Sequence, residues 1–242
     1  MFSRMRLRLL FALVCLVTAA AATAQVKPSP FENKVSAFEA ADRSNSPPKN
    51  AVLFAGSSSI SMWNTLARDF AEYRVINRGL SGSHIADAVK FLDRIFVPYA
   101  PCFIVFYAGV NDLHAGKTPA AVLADFQTFV SALHQRLPQT RVAFIAAGVN
   151  PARWAEADRV RELNQLVREF TRTDTRLSFI DVVPLMLGPD GQPRPDIFLD
   201  DKLHLNATGY RLWTGLVREH LKNHGADCAL KEHSRIKRGP KP

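Results

Sequence analysis

Cysteine is scarce in this 242-residue sequence: Cys15, Cys102 and Cys228 are the only three. No Cys or His spacing suited to a metal site accompanies them, which argues against a zinc or iron–sulfur centre. The serine elbow Gly-x-Ser-x-Gly is missing too, because Ile60 stands where its second glycine would fall after Gly56-Ser57-Ser58-Ser59. No apolar run reaches the ~20 residues that span a bilayer. Internal repeats and long linkers are absent as well, so the length points to one domain around one core. Acidic residues are outnumbered, 22 against 31 basic ones, for a net charge of +9.

That imbalance sits at the two ends. Arg4, Arg6 and Arg8 account for three of the nine charges, and the tail from Lys231 to Pro242, with five bases and one acid, accounts for four. About +2 is left on residues 25–230, so no basic face and no nucleic-acid partner is indicated. The basic start, the apolar stretch LLFALVCLVTAAAA and the small residues Ala22-Thr23-Ala24 form a secretory signal with a cut after Ala24. Cys15 lies inside the apolar stretch and is not placed for lipidation. The expected organisation is a signal peptide over 1–24, a folded domain over 25–230 and a disordered basic tail over 231–242, in a secreted or periplasmic protein without an integral membrane anchor.

Short Val/Ile/Phe-rich runs at 51–55, 75–77, 103–108, 142–147 and 177–182 alternate with segments of helical period at 119–136, about 154–172 and about 206–223. Thr118 and Pro119 open the first of these helices as cap and first residue. A short helix precedes the first strand. Five strands with helices between them predict an α/β fold, a three-layer α/β/α sandwich with a five-stranded parallel sheet.

In such sheets ligands bind beyond the carboxyl ends of the strands. There the sequence places Ser57-Ser58-Ser59, Asn77-Arg78-Gly79-Leu80-Ser81-Gly82-Ser83-His84, Gly109-Val110-Asn111-Asp112, Asn150-Pro151 and a long loop ending in Asp200-Asp201-Lys202-Leu203-His204. Acyl transfer needs a nucleophile, a base, a group that orients the base, and donors for the oxyanion. One of the three serines, His204, Asp201, the backbone at Gly82 and the Asn111 amide can fill these roles. Each piece alone has an ordinary reading as turn or cap. Their joint appearance, each after a different strand, carries the inference.

These blocks resemble those of the SGNH hydrolase (GDSL esterase/lipase) superfamily, over about residues 50–222. Phe54-Ala55-Gly56-Ser57-Ser58-Ser59 resembles the first block with Ser58 at the nucleophile position, and Ser57 stands where the family commonly has aspartate. The second block falls on Asn77–Ser83, with Gly82 as backbone oxyanion donor; the third on Gly109–Asp112, with Asn111 as side-chain donor; the last on Asp201–His204. The resemblance implies a flavodoxin-like fold and a serine esterase cleaving short acyl esters, acetyl above all, of small-molecule, carbohydrate or lipid alcohols. It further implies a Ser58–His204–Asp201 triad, an oxyanion hole of Ser58, Gly82 and Asn111, and no metal or cofactor.

Other readings stand beside this one. His84 and Trp154 are candidates for lining the substrate site, Asp112 for bonding within its own loop, and His134 for a solvated position. Asn206 caps the last helix, and Trp63 and Trp213 belong to the core. Cys102 starts the third strand and Cys228 follows the last helix. A helix antiparallel to its strand returns to the sheet's amino end, so a Cys102–Cys228 disulfide is expected there. The alternatives in function are a flavodoxin-like protein with a phosphate on the serine loop and a carbohydrate-binding relative without catalysis.

Overall fold

The computed structural model describes residues 29–231. The expected signal peptide over 1–24 and all of the expected tail but Lys231 lie outside the described residues. Residues 31–231 form one unit. Its centre is a sheet of five parallel strands, β1 (Val52–Gly56), β2 (Val75–Gly79), β3 (Phe103–Tyr107), β4 (Arg141–Ile145) and β5 (Leu177–Ile180), in the order β2-β1-β3-β4-β5.

β1 and β3 are apolar on both faces because both faces are covered, and every residue of β3 is buried. On one face the helices Ile85–Lys90, Pro119–Arg136 and Ala157–Thr171 pack side by side, and Phe126 and Phe129 meet Phe106 of β3. On the other, Trp63 sits edge-on to Phe54 of β1 and against Tyr210 and Trp213 of the helix Ala207–Asn223. Fully burying one aromatic side chain of this kind stabilises a fold by about 1.5–3 kcal/mol, so these clusters are what hold the two outer layers to the sheet.

The helix ends follow local chemistry. Thr118 Oγ1 accepts from the Ala121 amide ahead of Pro119, and Asn206 Oδ1 accepts from the amides of Thr208 and Gly209. The stretch expected to open a helix near 154 is instead a 3-10 segment, Pro151–Glu156, and the α-helix starts at Ala157. The cause is Asn150, whose side chain takes the Arg153 amide at 2.9 Å and holds Arg153 at φ −126°, ψ 28°, outside helical geometry.

At the amino end of the sheet Cys102 and Cys228 are joined in a disulfide, with Cα atoms 6.3 Å apart. His134 departs from expectation. It is half-buried, with Nε2 3.0 Å from the Thr140 carbonyl, and burial pushes its pKa below the ordinary histidine value.

Candidate active site

β1 ends at Gly56, where φ is +121° and an added Cβ would fall 1.9 Å from the Tyr107 carbonyl oxygen of β3. Only glycine lets the two strands end this close. The Ser57 amide then donates to that same oxygen at 2.8 Å, and the chain turns into a four-residue helix, Ser58–Ser61. Ser57 and Ser59 are buried, 4% and 7% exposed, whereas Ser58 is half-exposed. All three line the cleft, and Ser58 is the most exposed of them. Ser57, in the place of an aspartate, caps this turn through its carbonyl, which accepts from the amides of Ile60 and Ser61.

The loop after β2 seats that helix. Asn77 Nδ2 donates to the Ile60 carbonyl at 2.7 Å, and Gly79 lies so close beneath that a Cβ would meet the Ser61 nitrogen at 2.2 Å. Leu80 donates to the Gly56 carbonyl at 2.7 Å, after which the chain passes through Gly82 at φ +85°. The amides of Ser58 and Gly82 donate to no group among the described residues, and both residues line the cleft.

After β3, Gly109 at φ +104° starts the short helix Val110–His114. Asn111 Nδ2 donates to the Ser83 carbonyl at 3.1 Å, and its Oδ1 accepts from Arg153 Nη1 at 3.1 Å. Asp112 is wholly buried and does not serve its own turn alone. It accepts from Lys117 at 3.1 Å and, across the gap to the β2 loop, from the Ile85 amide at 3.3 Å. This bridge fixes the loops of Gly82 and Asn111 relative to each other.

The last loop supplies Asp201 and His204. Asp201 Oδ1 accepts from the amides of Leu203 and His204, both at 2.9 Å, while Oδ2 lies 2.6 Å from His204 Nδ1. The amide and then the ring of His204 are the main causes that lower the Asp201 pKa to about 2. Lys202 between them takes φ +57°, a left-handed residue that the turn requires. His204 Nε2 is 2.9 Å from Ser58 Oγ, although 146 positions separate the two residues. Asp200 makes no such contact with the ring.

Ser58, Gly82, Asn111 and His204 line a single cleft of about 340 Å³, with Met62, Val110 and Leu203 as apolar walls. His84 and Trp154 do not line it. The His84 amide opens the helix Ile85–Lys90 by donating to Asp87 at 2.9 Å, and its ring points at buried Asp112, 3.9 Å away. Trp154 packs on the core, with the Arg161 guanidinium 5.5 Å from its ring centre. The residue that does enter is Arg153, one position earlier. The signal for it was the Asn150-Pro151 cap, which breaks the helix and aims the third residue after the asparagine. Among the described residues no group of three His, Cys, Asp or Glu side chains is placed to hold a metal ion, and no helix is long and apolar enough to cross a membrane.

Residues 52–212 match the model of the GDSL-like lipase/acylhydrolase family. Among solved structures, a GDSL-like lipase from Bacteroides thetaiotaomicron VPI-5482 superposes with a TM-score of 0.65 at 15% identity, over 78% of this chain and 97% of that one. The lipase/acylhydrolase from Enterococcus faecalis gives 0.58 at 21% identity, over 71% and 96%. A carbohydrate esterase family 3 protein from Talaromyces cellulolyticus gives 0.54 at 14% identity, over 71% and 95%. At these identities the likeness is one of fold. No curated protein matches the chain.

Proposed function

The chain belongs to the GDSL-like lipase/acylhydrolase family, whose chemistry is ester hydrolysis, and from that premise we propose a serine esterase that removes short acyl groups, acetyl first, through an acyl-enzyme on Ser58. The observation that carries this reading is the 2.9 Å contact between Ser58 Oγ and His204 Nε2. With His204 Nδ1 turned to Asp201, the Nε2 lone pair is the one that faces the serine.

The steps follow from these positions. His204 takes the hydroxyl proton as Ser58 Oγ bonds to the ester carbonyl carbon, and the carbonyl oxygen becomes an oxyanion. Its donors are the free amides of Ser58 and Gly82 and the second N–H of the Asn111 amide; such donors act where charge develops in the transition state. His204 then gives its proton to the departing alcohol, leaving the acyl group on Ser58. A water, deprotonated by His204, attacks that carbonyl, and the acid leaves as Ser58 recovers its proton. Asp201, ionised down to about pH 2, stabilises the imidazolium in both halves.

A cleft of about 340 Å³ is near the lower end of small-molecule sites, which favours a short acyl group. A disulfide fits an oxidising compartment and so the expected secretion of residues 25–230. The phosphate-cradle alternative is weakened because it gives no task to the contacts of His204 with Ser58 and Asp201. The test is hydrolysis of nitrophenyl esters of graded acyl length. Wild type should prefer acetyl to butyryl, and Ser58→Ala should fall about a millionfold or to background, as when a triad nucleophile is removed. Full activity in that variant would end the proposal.

A further inference from the structure

Arg153 is the one residue lining the cleft that carries a permanent charge, and no aspartate or glutamate lines it. Three acids around the rim have other partners. Asp112 is held by Lys117 and the Ile85 amide, Asp201 by His204, and Glu156 by His114, whose Nδ1 is 2.7 Å away. Among the described residues Arg153 has no carboxylate partner. Its Nη1 donates to Asn111 Oδ1 at 3.1 Å and approaches the Val110 carbonyl at 3.5 Å, while Nε and Nη2 have no acceptor.

A half-buried guanidinium with no counter-charge has lost hydration without replacement. Here that charge sits next to Asn111, whose other end offers the oxyanion donor. The free Nε–Nη2 edge is the side of a guanidinium that takes two oxygens of one carboxylate or phosphate in parallel. The residue is also not on a loose loop, since the Asn150 cap fixes its backbone. Resting on the reading of Ser58 as nucleophile, we propose that Arg153 sets substrate choice: it selects esters that carry an anionic oxygen group, carboxylate or phosphate, close to the acylated hydroxyl. The apolar walls take the acyl methyl, and Arg153 takes the charge of the alcohol portion.

The experiment compares matched pairs that differ only in charge. One pair is an O-acetylated uronic acid and its methyl ester; the other is acetylglycerol phosphate and monoacetylglycerol. For wild type at low salt, kcat/KM for at least one anionic member should exceed that of its neutral partner by about tenfold or more, the effect of one charge-assisted contact. The ratio should shrink as salt is raised. In Arg153→Gln, which keeps an N–H for Asn111 but no charge, the ratio should fall to near one. Arg153→Lys should lie between. The pair showing the preference tells carboxylate from phosphate. Equal rates on both members of both pairs by wild type would overturn the inference. So would a drop in Arg153→Gln that is the same for both members, because Arg153 would then only brace Asn111. If wild type hydrolyses neither these esters nor nitrophenyl acetate, the esterase reading falls first, and the two failures are told apart.

Discussion

The two ends of the parallel sheet use the same backbone chemistry to opposite purposes. At the amino end, polar groups are closed on one another across distant segments. Arg74 reaches the carbonyls of Asn50, Cys228 and Leu230, Thr140 Oγ1 donates to Pro101 at 2.7 Å, Arg176 donates to Pro138 at 2.8 Å, and the disulfide ties Cys102 to the chain after the last helix. At the carboxyl end, glycines at positive φ let the loops approach, and donors are left open: two amides, one amide N–H of Asn111, and one edge of Arg153. Hydrogen-bonding capacity left unused at one end is available to a ligand, and closure at the other keeps the strand ends in place. The ends should therefore separate under mutation, activity at one and stability at the other.

The largest effect that tests this separation is expected at Asp201. Asp201→Asn removes the carboxylate from His204 and turns an acceptor into a group that can present a donor to Nδ1. Activity on nitrophenyl acetate should fall about 10³–10⁴-fold, as when a triad acid becomes its amide. Because the side chain is 46% exposed and an asparagine oxygen can still accept from the amides of Leu203 and His204, the unfolding free energy from urea titration should fall by only about 1 kcal/mol or less. A large loss of stability there would mean that the rim also holds up the fold. The converse is replacing Cys102 and Cys228 together by alanine. The bond closes a separation of 126 residues, and its loss should lower stability by about 2–5 kcal/mol in urea unfolding. kcat at temperatures where the variant remains folded should be unchanged. Equal loss of kcat would show that the two ends are coupled through β3, which starts next to Cys102 and ends at Tyr107, whose carbonyl accepts from the Ser57 amide.

What could be read from the sequence follows the same division by range. Strands buried on both faces appear as unbroken apolar runs, and β1 and β3 fall within one residue, β4 within two, of where those runs predict. Asp201 and His204 were legible as a pair because they are three residues apart, and the meeting of His204 with Ser58 follows from both lying after parallel strands of one sheet. The Cys102–Cys228 pairing came from topology alone, from where an antiparallel helix must return. Contacts between loops had no such rule. Arg153 and Asn111 are 42 positions apart, His114 and Glu156 likewise, and Asp112 reaches 27 positions back to Ile85. No spacing encodes these, so Trp154 was singled out in place of its neighbour, and His84 was placed in a cleft from which its helix-opening turn removes it.

The smallest effect, and the one that probes the amino end most finely, concerns His220. It lies on the helix Ala207–Asn223 with Nε2 2.8 Å from Ser178 Oγ at the start of β5, edge-on to Phe103 of β3, its ring stacked 3.7 Å from that of His224. Burial, and secondarily the charge of His224, lowers its pKa to about 3. In the unfolded chain a histidine titrates near 6.5, so between those two values the unfolded state binds more protons than the folded one. Stability must then fall as pH drops from about 6.5 towards 3, and the contribution is whole only above that window. His134 adds in the same direction through its own burial. His220→Gln keeps a partner for Ser178 and removes the titration. Urea unfolding of this variant and wild type at pH 7 and pH 5 should show a smaller acid loss in the variant, while kcat measured at pH 7 is the same for both. An undiminished loss would place the acid sensitivity of the fold elsewhere than the closed end of the sheet.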